Sequence, residues 1–410
     1  MDPILTPASW KYKHEGNANV VFTYTGSQPP LEGHVLRVRK SDDTSETPMS
    51  LGDEQGFQER VIGPLVGGDY VAKTRLVKVT PDFLQALSTA FAALRPEARR
   101  NRDLDLRQEF VALIPDLTVA GTDGRDGGEA ITVEIKPKWG FLPTSPNINP
   151  VKLHTCRYCM HQHYKQHIPP SEFCPLDLYS GDQRRVAKAV DALVRCPQNN
   201  LRVFVGGECV GVDSATAKAA VEALMRASHS TDMTPAAFLT TLLTPIITSQ
   251  PLFPRLATHQ AGLDSLDIEG IITVYNALPT ELKEMNPTLG EWEGVVAGYL
   301  GHDVGAVEGV EESRQRVYEY LLSATLKDCS VMITVWVEEN TEDDGHTAPS
   351  KENEGTISVP TSSSQPRTIR YTLGLVDIDP KNITKVPEHY AKDQEIVKCY
   401  ASVGVERRCG

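Results

Sequence analysis

Glu134-Ile135-Lys136-Pro137-Lys138-Trp139-Gly140-Phe141-Leu142-Pro143, residues 134–143, is the stretch on which the reading of this chain turns. Alternation along an extended backbone points Glu134, Lys136 and Lys138 to one face. Two ammonium groups side by side repel each other unless an anion sits between or above them. An edge strand whose lysines discourage pairing with other chains is the bland alternative. Pro137 fits a terminating or edge strand under either reading, because it cannot donate to a ladder.

Outward from this stretch the pattern is mixed. FVALIPDLTVAG and AITVEIKP read as strands separated by the turn-rich TDGRDGGE, and NANVVFTYTG and GHVLRVRK as a hairpin-like pair around SQPP. Helical spacing of apolar residues runs from Thr80 to Leu94, from Arg184 to Val194 and from Ala215 to Ala227. NLRVFVGGECVG forms a strand between the last two. Residues 234–300 are mostly helical, CSVMITVWV and IRYTLGLVDID are strands, and a helix closes the chain around EHYAKDQEIVKCYASV. The fold class is therefore α+β.

At 410 residues the chain exceeds the size at which one core usually suffices, so two lobes are expected, 1–115 and 116–410. Residues 338–367 are rich in Glu, Asp, Ser, Thr and Pro and poor in large apolar side chains, which predicts a flexible inserted loop, dispensable for catalysis. No repeat of fixed period is present, which disfavours solenoids and propellers.

The composition, 40% hydrophobic and 23% charged, is that of a globular protein without an apolar run of membrane-spanning length. The segment MDPILTPASWKYKHEGN lacks the basic and apolar regions of a secretory signal, so an intracellular location, nucleus or cytoplasm, is expected. A net charge of −13 disfavours nucleic acid and anionic lipid as partners, so any site for an anion must be a local concentration of cations. The eight cysteines are expected to be reduced, and a cluster of them is weighed as a metal site before a disulfide.

One cluster lies in HTCRYCMHQHYK. If that stretch is helical, Arg157, His161 and Lys165 recur along one face and Cys156, Cys159 and His163 along the other. His154, Cys156, Cys159 and Cys174 make a candidate structural zinc set, with His163 competing for the nitrogen position. Reduced cysteines packing a helix against CPLDLYSG are the alternative. Near the end of the chain Asp377-Ile378-Asp379 terminates an apolar strand and is followed by Lys381 and Lys385. Carboxylates leaving a sheet in this way commonly hold the metal of phosphoryl transfer, although Asp-capped turns look the same. Asp328 precedes another apolar strand. His14-Glu15-Gly16-Asn17-Ala18-Asn19, followed by Arg37 and Arg39, has the outline of a phosphate-covering turn, or of an ordinary one.

EIKPKWGFLP, CRYCMHQHYK, CPLDLYSGD, PQNNLRVFVGG, KDCSVMI and LVDIDPK, in this order, give the chain a resemblance to the inositol-pentakisphosphate 2-kinases of eukaryotes. The resemblance implies a two-lobed, kinase-like fold with ATP in the cleft. It implies transfer of the γ-phosphoryl group to the 2-hydroxyl of inositol pentakisphosphate, with a small-molecule substrate, Mg2+ and a monomer. By motif, Lys136, Lys138, His161, Lys165, Arg99, Asn199, Asn200, Lys381, Lys385 and Tyr390, or its neighbour His389, face the substrate. Gly16, Asn17, Asn19, Arg37, Asp116 and Glu134 belong to the nucleotide, with Asp116 at the hinge beside adenine. Asp328 resembles the base for the hydroxyl proton, Asp377 the magnesium ligand, with Asp328 also on the metal side. A kinase for another inositol phosphate and a non-catalytic polyphosphate binder are the rival readings.

Overall fold

The computed structural model describes residues 5–41, 49–119, 130–165, 168–301, 309–337, 351–359, 368–404 and 407–410. Strands β1 (Trp10–Glu15), β2 (Asn19–Tyr24), β3 (His34–Arg39), β4 (Arg75–Lys78) and β5 (Phe110–Pro115) form a sheet in the order β1-β2-β3-β5-β4, antiparallel throughout. Val20, Phe22, Leu36, Val38, Val111 and Leu113 alternate inward along three of these strands. They pack on Leu84, Leu87 and Phe91 of the helix Pro81–Phe91, with Phe22 edge-on to Phe91 at 5.1 Å between ring centroids. Thr80 starts that helix, its hydroxyl accepting from the Phe83 amide at 3.2 Å, with Pro81 in the first turn where no amide donor is needed.

The second sheet comprises β6 (Ile131–Ile135), β7 (Leu201–Val205), β8 (Glu208–Val210), β9 (Ser330–Val337), β10 (Glu354–Ser358) and β11 (Thr368–Val376). Its order is β10-β11-β9-β6-β7-β8, and every pair is antiparallel. Strand β6 is buried along its whole length, as befits a central strand covered on both faces. Helices Gln183–Arg195, Pro235–Ser249, Leu252–Gly262 and Val310–Asp328 contribute to the large core around this sheet. No single described helix is long and apolar enough to cross a membrane.

Three features depart from the expected outline. The helical run Leu51–Gly56, Phe57–Ile62 and Gly63–Val66 places Phe57, Val61, Ile62, Leu65 and Val66 in the core of the second sheet. The two cores therefore do not divide the chain at residue 115. Residues 338–367 are not loop throughout. Glu354–Ser358 is strand β10, paired to β11, and Val359 is buried, so the expected insertion is structured over its middle, while 338–350 and 360–367 lie outside the described residues. The apolar alternation there was diluted by Gly355 and Thr356, and pairing to β11 supplies what propensity does not. The helix Val310–Asp328 was not evident in the sequence.

Candidate active site

Register delivers the site. Strand β9 runs antiparallel to both neighbours, so it begins where they end: Val331 pairs with Ile135, and Ser330 with Val376. Strand β7 begins at the same level, Leu201 opposite Ile135. Lys136 and Lys138 after β6, Asp377 to Lys381 after β11, Asp328 before β9, and Asn199 and Asn200 before β7 therefore meet at one end of one sheet. Asn200 ties the strand ends together. Its carbonyl accepts from the Lys136 amide at 2.9 Å, its Nδ2 donates to the Lys136 carbonyl at 3.1 Å, and its Oδ1 accepts from the Tyr158 hydroxyl at 3.2 Å. Lys138 and Asp377 are held at φ values of 63° and 60°, a left-handed conformation that costs a non-glycine residue about 1 kcal/mol or more.

A cavity of about 340 Å³ opens at this end. Helix Arg157–Tyr164 and the residue after it contribute Arg157, His161 and Lys165; helix Val386–Val403 contributes His389 and Lys392; Lys138 and Lys381 come from the strand ends. Among the described residues Asp328 is the one carboxylate in this lining. It is the last residue of helix Val310–Asp328, where the helix dipole opposes a negative charge. Lys138 Nζ stands 3.3 Å from Asp328 Oδ1 and Lys381 Nζ 3.0 Å from Oδ2. Burial pushes the Asp328 carboxyl up, but the two lysines together outweigh it and hold the group below its ordinary value. Burial lowers the Lys138 ammonium, only partly offset by Asp328. His161 and His389 are both held down to about 4, first by burial and then by surrounding cations, Lys165 and Arg157 for His161 and Lys381 and Arg157 for His389.

Gln260 fixes the separation of the two walls. Fully buried, its Nε2 donates to the Lys138 carbonyl at 3.1 Å and the Leu326 carbonyl at 2.9 Å, and its Oε1 accepts from the Gly140 amide at 2.8 Å. Gly140 must be glycine for this approach, since a Cβ there would lie 2.8 Å from the Tyr179 ring.

Beside the cavity, Lys136 Nζ bonds Asp377 Oδ2 at 2.8 Å and lies 3.7 Å from Glu134 Oε1. The Ser330 hydroxyl is 2.8 Å from Glu134 Oε1 and 3.3 Å from Asp377 Oδ2. Burial lowers the Lys136 ammonium, yet Asp377 and Glu134 leave it raised overall. Two carboxylates and a hydroxyl at one point are the oxygen donors a hard divalent cation requires, so the residues fit Mg2+, with Asp377 the more exposed carboxylate.

A second cavity, of about 650 Å³, holds Asn19, Arg37, Arg39 and Asp379, and Lys381 borders it as well as the first. Arg37 Nη2 pairs with Asp379 Oδ2 at 2.6 Å, and the Asn19 amide oxygen, turned toward the guanidinium, accepts from Arg37 Nε at 3.0 Å.

Other residues singled out in the sequence sit apart from both linings. Gly16 and Asn17 form the β1–β2 turn, Gly16 accepting from Lys40 Nζ at 2.8 Å and Asn17 from Arg99. Asp116 is saturated within the protein: a bulge in β1 between Tyr12 and His14 turns Lys13 onto its Oδ2 at 2.6 Å, while Thr118 Oγ1 donates to its Oδ1 at 2.6 Å. Lys385 pairs with Glu388 at 2.7 Å. Tyr390 packs against the core and His389 takes the cavity position. Trp139 and Lys392 were not assigned to the site from sequence. The spacing of His389 and Lys392, three residues apart on a helix, was the signal that would have paired them.

The cysteine cluster differs from the expected set. Sγ atoms of Cys156, Cys159, Cys174 and Cys409 all lie within 4.8 Å of one another, with Cys156 and Cys174 at 4.0 Å. Cys409 replaces His154, whose carbonyl instead accepts from the Cys409 amide at 2.8 Å. Tetrahedral thiolate ligation at about 2.3 Å per bond requires sulfurs roughly 3.8 Å apart, so the four thiols fit zinc. Hydrogen bonds from Cys156 and Cys159 lower the Cys174 thiol to about 7.

An α+β fold that brings a cation-lined cavity, one lysine-flanked carboxylate and a metal-suited carboxylate pair to a single sheet end defines a small-molecule kinase. The profile described as inositol-pentakisphosphate 2-kinase matches residues 12–395. The chain belongs to the inositol-pentakisphosphate 2-kinase family. Among its relatives, the inositol-pentakisphosphate 2-kinase of Arabidopsis thaliana is 29% identical over 96% of this chain and 93% of its own length. That of Oryza sativa subsp. indica is 31% identical over 96% and 94%. That of Danio rerio is 28% identical over 95% and 92%.

Proposed function

We propose that this chain transfers the γ-phosphoryl group of ATP to the 2-hydroxyl of inositol pentakisphosphate, giving inositol hexakisphosphate. The observation that carries the substrate reading is the first cavity, whose lining, among the described residues, opposes a single carboxylate to cations from five separate segments of chain. A ligand with about two charges on each of five phosphates requires that density. Lys138, Lys165, Lys381, His161 and His389 bind and orient it, with Asn199 and Asn200 at the β7 end of the cavity. Asp328 is the base that takes the hydroxyl proton at its carboxylate, and the flanking lysines keep it ionised and aimed. Lys381, bordering both cavities, stands where charge moves between donor and acceptor.

Asp377 and Glu134 would hold Mg2+, which when bound supplies neutralisation of nucleotide phosphate charge. Arg37 and Asn19 are assigned to the nucleotide side on their place in the second cavity. Cys156, Cys159, Cys174 and Cys409 are assigned to a structural zinc.

The test is ATP turnover with a panel of inositol phosphates differing in the phosphate they lack. Turnover confined to the pentakisphosphate with a free 2-hydroxyl is expected. Preference for a different free hydroxyl would favour a kinase of another inositol phosphate, and binding without turnover a non-catalytic polyphosphate binder.

A further inference from the structure

Lys327, the residue before the proposed base, borders the first cavity but turns its charge inward. It is only 3% exposed, and its Nζ is bonded to Oδ2 of the equally buried Asp264. Three rings approach the same ammonium, with centroids 4.1 Å away for Trp139, 5.0 Å for Phe141 and 5.7 Å for Tyr320. The Trp139 and Phe141 planes are 9° from parallel at 6.2 Å. A desolvated ammonium gains most from such ring faces, and a buried charge without its partner is costly. The position of Lys327 is therefore over-determined, by one carboxylate and by the ring faces together.

This ammonium joins the two elements that meet at the base. Lys327 belongs to the last turn of helix Val310–Asp328, and Trp139 directly follows Lys138, whose Nζ stands 3.3 Å from Asp328 Oδ1. Lys138 is held at a φ of 63°, which needs restraint from its surroundings. Gln260 already ties the two main chains, donating to the Lys138 and Leu326 carbonyls. Asp264, just past the end of helix Leu252–Gly262, adds a second tie from the same stretch, made through side chains. The Asp264–Lys327 pair and its rings thus lock the segment bearing Lys138 to the helix end bearing Asp328.

We infer that Lys327, paired with Asp264 and faced by Trp139, Phe141 and Tyr320, is a positioning residue for phosphoryl transfer that holds Asp328 in place against Lys138. The inference rests on the reading of Asp328 as the base. Lys327 touches no reacting atom in this role and acts through Asp328 and the Trp139 segment. Because the pair is neutral as a whole, it adds little to the field that attracts a polyanion. Its contribution is geometric, and a displacement of about 1 Å costs on the order of a hundredfold in rate.

The test is steady-state kinetics with ATP and inositol pentakisphosphate for the double variant Lys327→Met/Asp264→Leu, alongside calorimetric binding and melting temperature. Lys327→Met alone would leave Asp264 buried without its partner, whereas the double variant removes both charges. Replacing a buried pair by apolar side chains of similar size is often neutral or stabilising, so the melting temperature is expected to stay at or above that of the wild type. In that folded variant kcat is expected to fall on the order of tenfold or more, with affinity for inositol pentakisphosphate within about threefold of wild type. Wild-type kcat would make the pair purely structural and overturn the inference. Lost affinity with kcat kept would make Lys327 a substrate contact and overturn it equally. Should the double variant fail to fold, Phe141→Leu keeps the ion pair and removes one ring; a several-fold fall in kcat with affinity kept is expected, and an unchanged kcat overturns the inference. Asp328→Asn separates the inference from the reading beneath it. If Asp328→Asn loses turnover and the double variant does not, the Lys327 assignment alone is wrong. If Asp328→Asn keeps turnover, the base reading has failed and the inference falls with it.

Discussion

Lys381 Nζ lies 3.0 Å from Asp328 Oδ2 while Lys381 borders both cavities, so one ammonium links the proposed base to the space assigned to the nucleotide. Asp328→Asn keeps size and removes the proton acceptor. Turnover is expected to fall by roughly a hundredfold or more, while calorimetric affinity for inositol pentakisphosphate is kept or improved, because an anion leaves a cationic cavity. Asp377→Asn is expected to weaken nucleotide binding in Mg2+ as well. Near-normal turnover in Asp328→Asn would remove the base assignment.

His161 and His389 provide a pH readout. In the free protein both stay neutral down to about 4. A bound polyanion raises both values, so binding takes up protons and affinity strengthens as pH falls toward the raised values. Calorimetry in buffers of different ionisation enthalpy counts those protons. Phosphate groups of the ligand contribute in every variant, so the histidine share is the difference from His161→Gln and His389→Gln. An unchanged count in both variants would show that neither histidine charges.

Gln260 holds the Lys138 loop against the end of the Asp328 helix. Gln260→Leu has nearly the same size and removes all four side-chain hydrogen bonds, those to Lys138, Leu326, Gly140 and the Tyr179 hydroxyl. Turnover is expected to drop at least tenfold, by displacement of Asp328 relative to Lys138, with a loss of a few degrees in melting temperature from the buried groups left unpaired. Wild-type turnover at a lowered melting temperature would reduce Gln260 to a packing role.

For the thiol cluster, elemental analysis is expected to give about one zinc per chain. Cys409→Ser should lose the metal and lower the melting temperature, whereas His154→Ala should keep it. Zinc absent from the wild-type protein would leave four reduced cysteines packing the chain terminus.

Residues 351–359 are expected to matter for stability. Glu352 pairs with Arg255 at 2.6 Å, its carbonyl accepts from Tyr70, and Glu354–Ser358 completes the sheet edge. Replacing this stretch by Gly and Ser should lower the melting temperature by about 5 °C or more. A melting temperature unchanged by the replacement would return the segment to the status of a loop.

What the sequence disclosed depended on period and spacing. Lys136 and Lys138 were legible because they alternate with apolar residues on one strand, and Arg157, His161 and Lys165 because they recur by helical turns. Helix Val310–Asp328 was not, since residues 317–327 are buried almost without interruption and leave no polar face to reveal a period. Cys409 was hidden by distance, as ligand spacing is recognisable only when the ligands are close in sequence. The engagement of Asp116 by Lys13 depends on a bulge, which one irregular residue in β1 creates and no pattern announces.

The meeting of strand ends also constrains how this enzyme comes into being. Lys136 and its partner Asp377 are 241 positions apart, and Lys138 and Asp328 are 190 apart. As the ribosome releases the chain, the first sheet can form early, but β6 waits with its lysines uncompensated until β9 and β11 have emerged. Catalytic competence therefore waits until Lys381 has emerged, and a nonsense mutation anywhere before it removes an ammonium that borders both cavities.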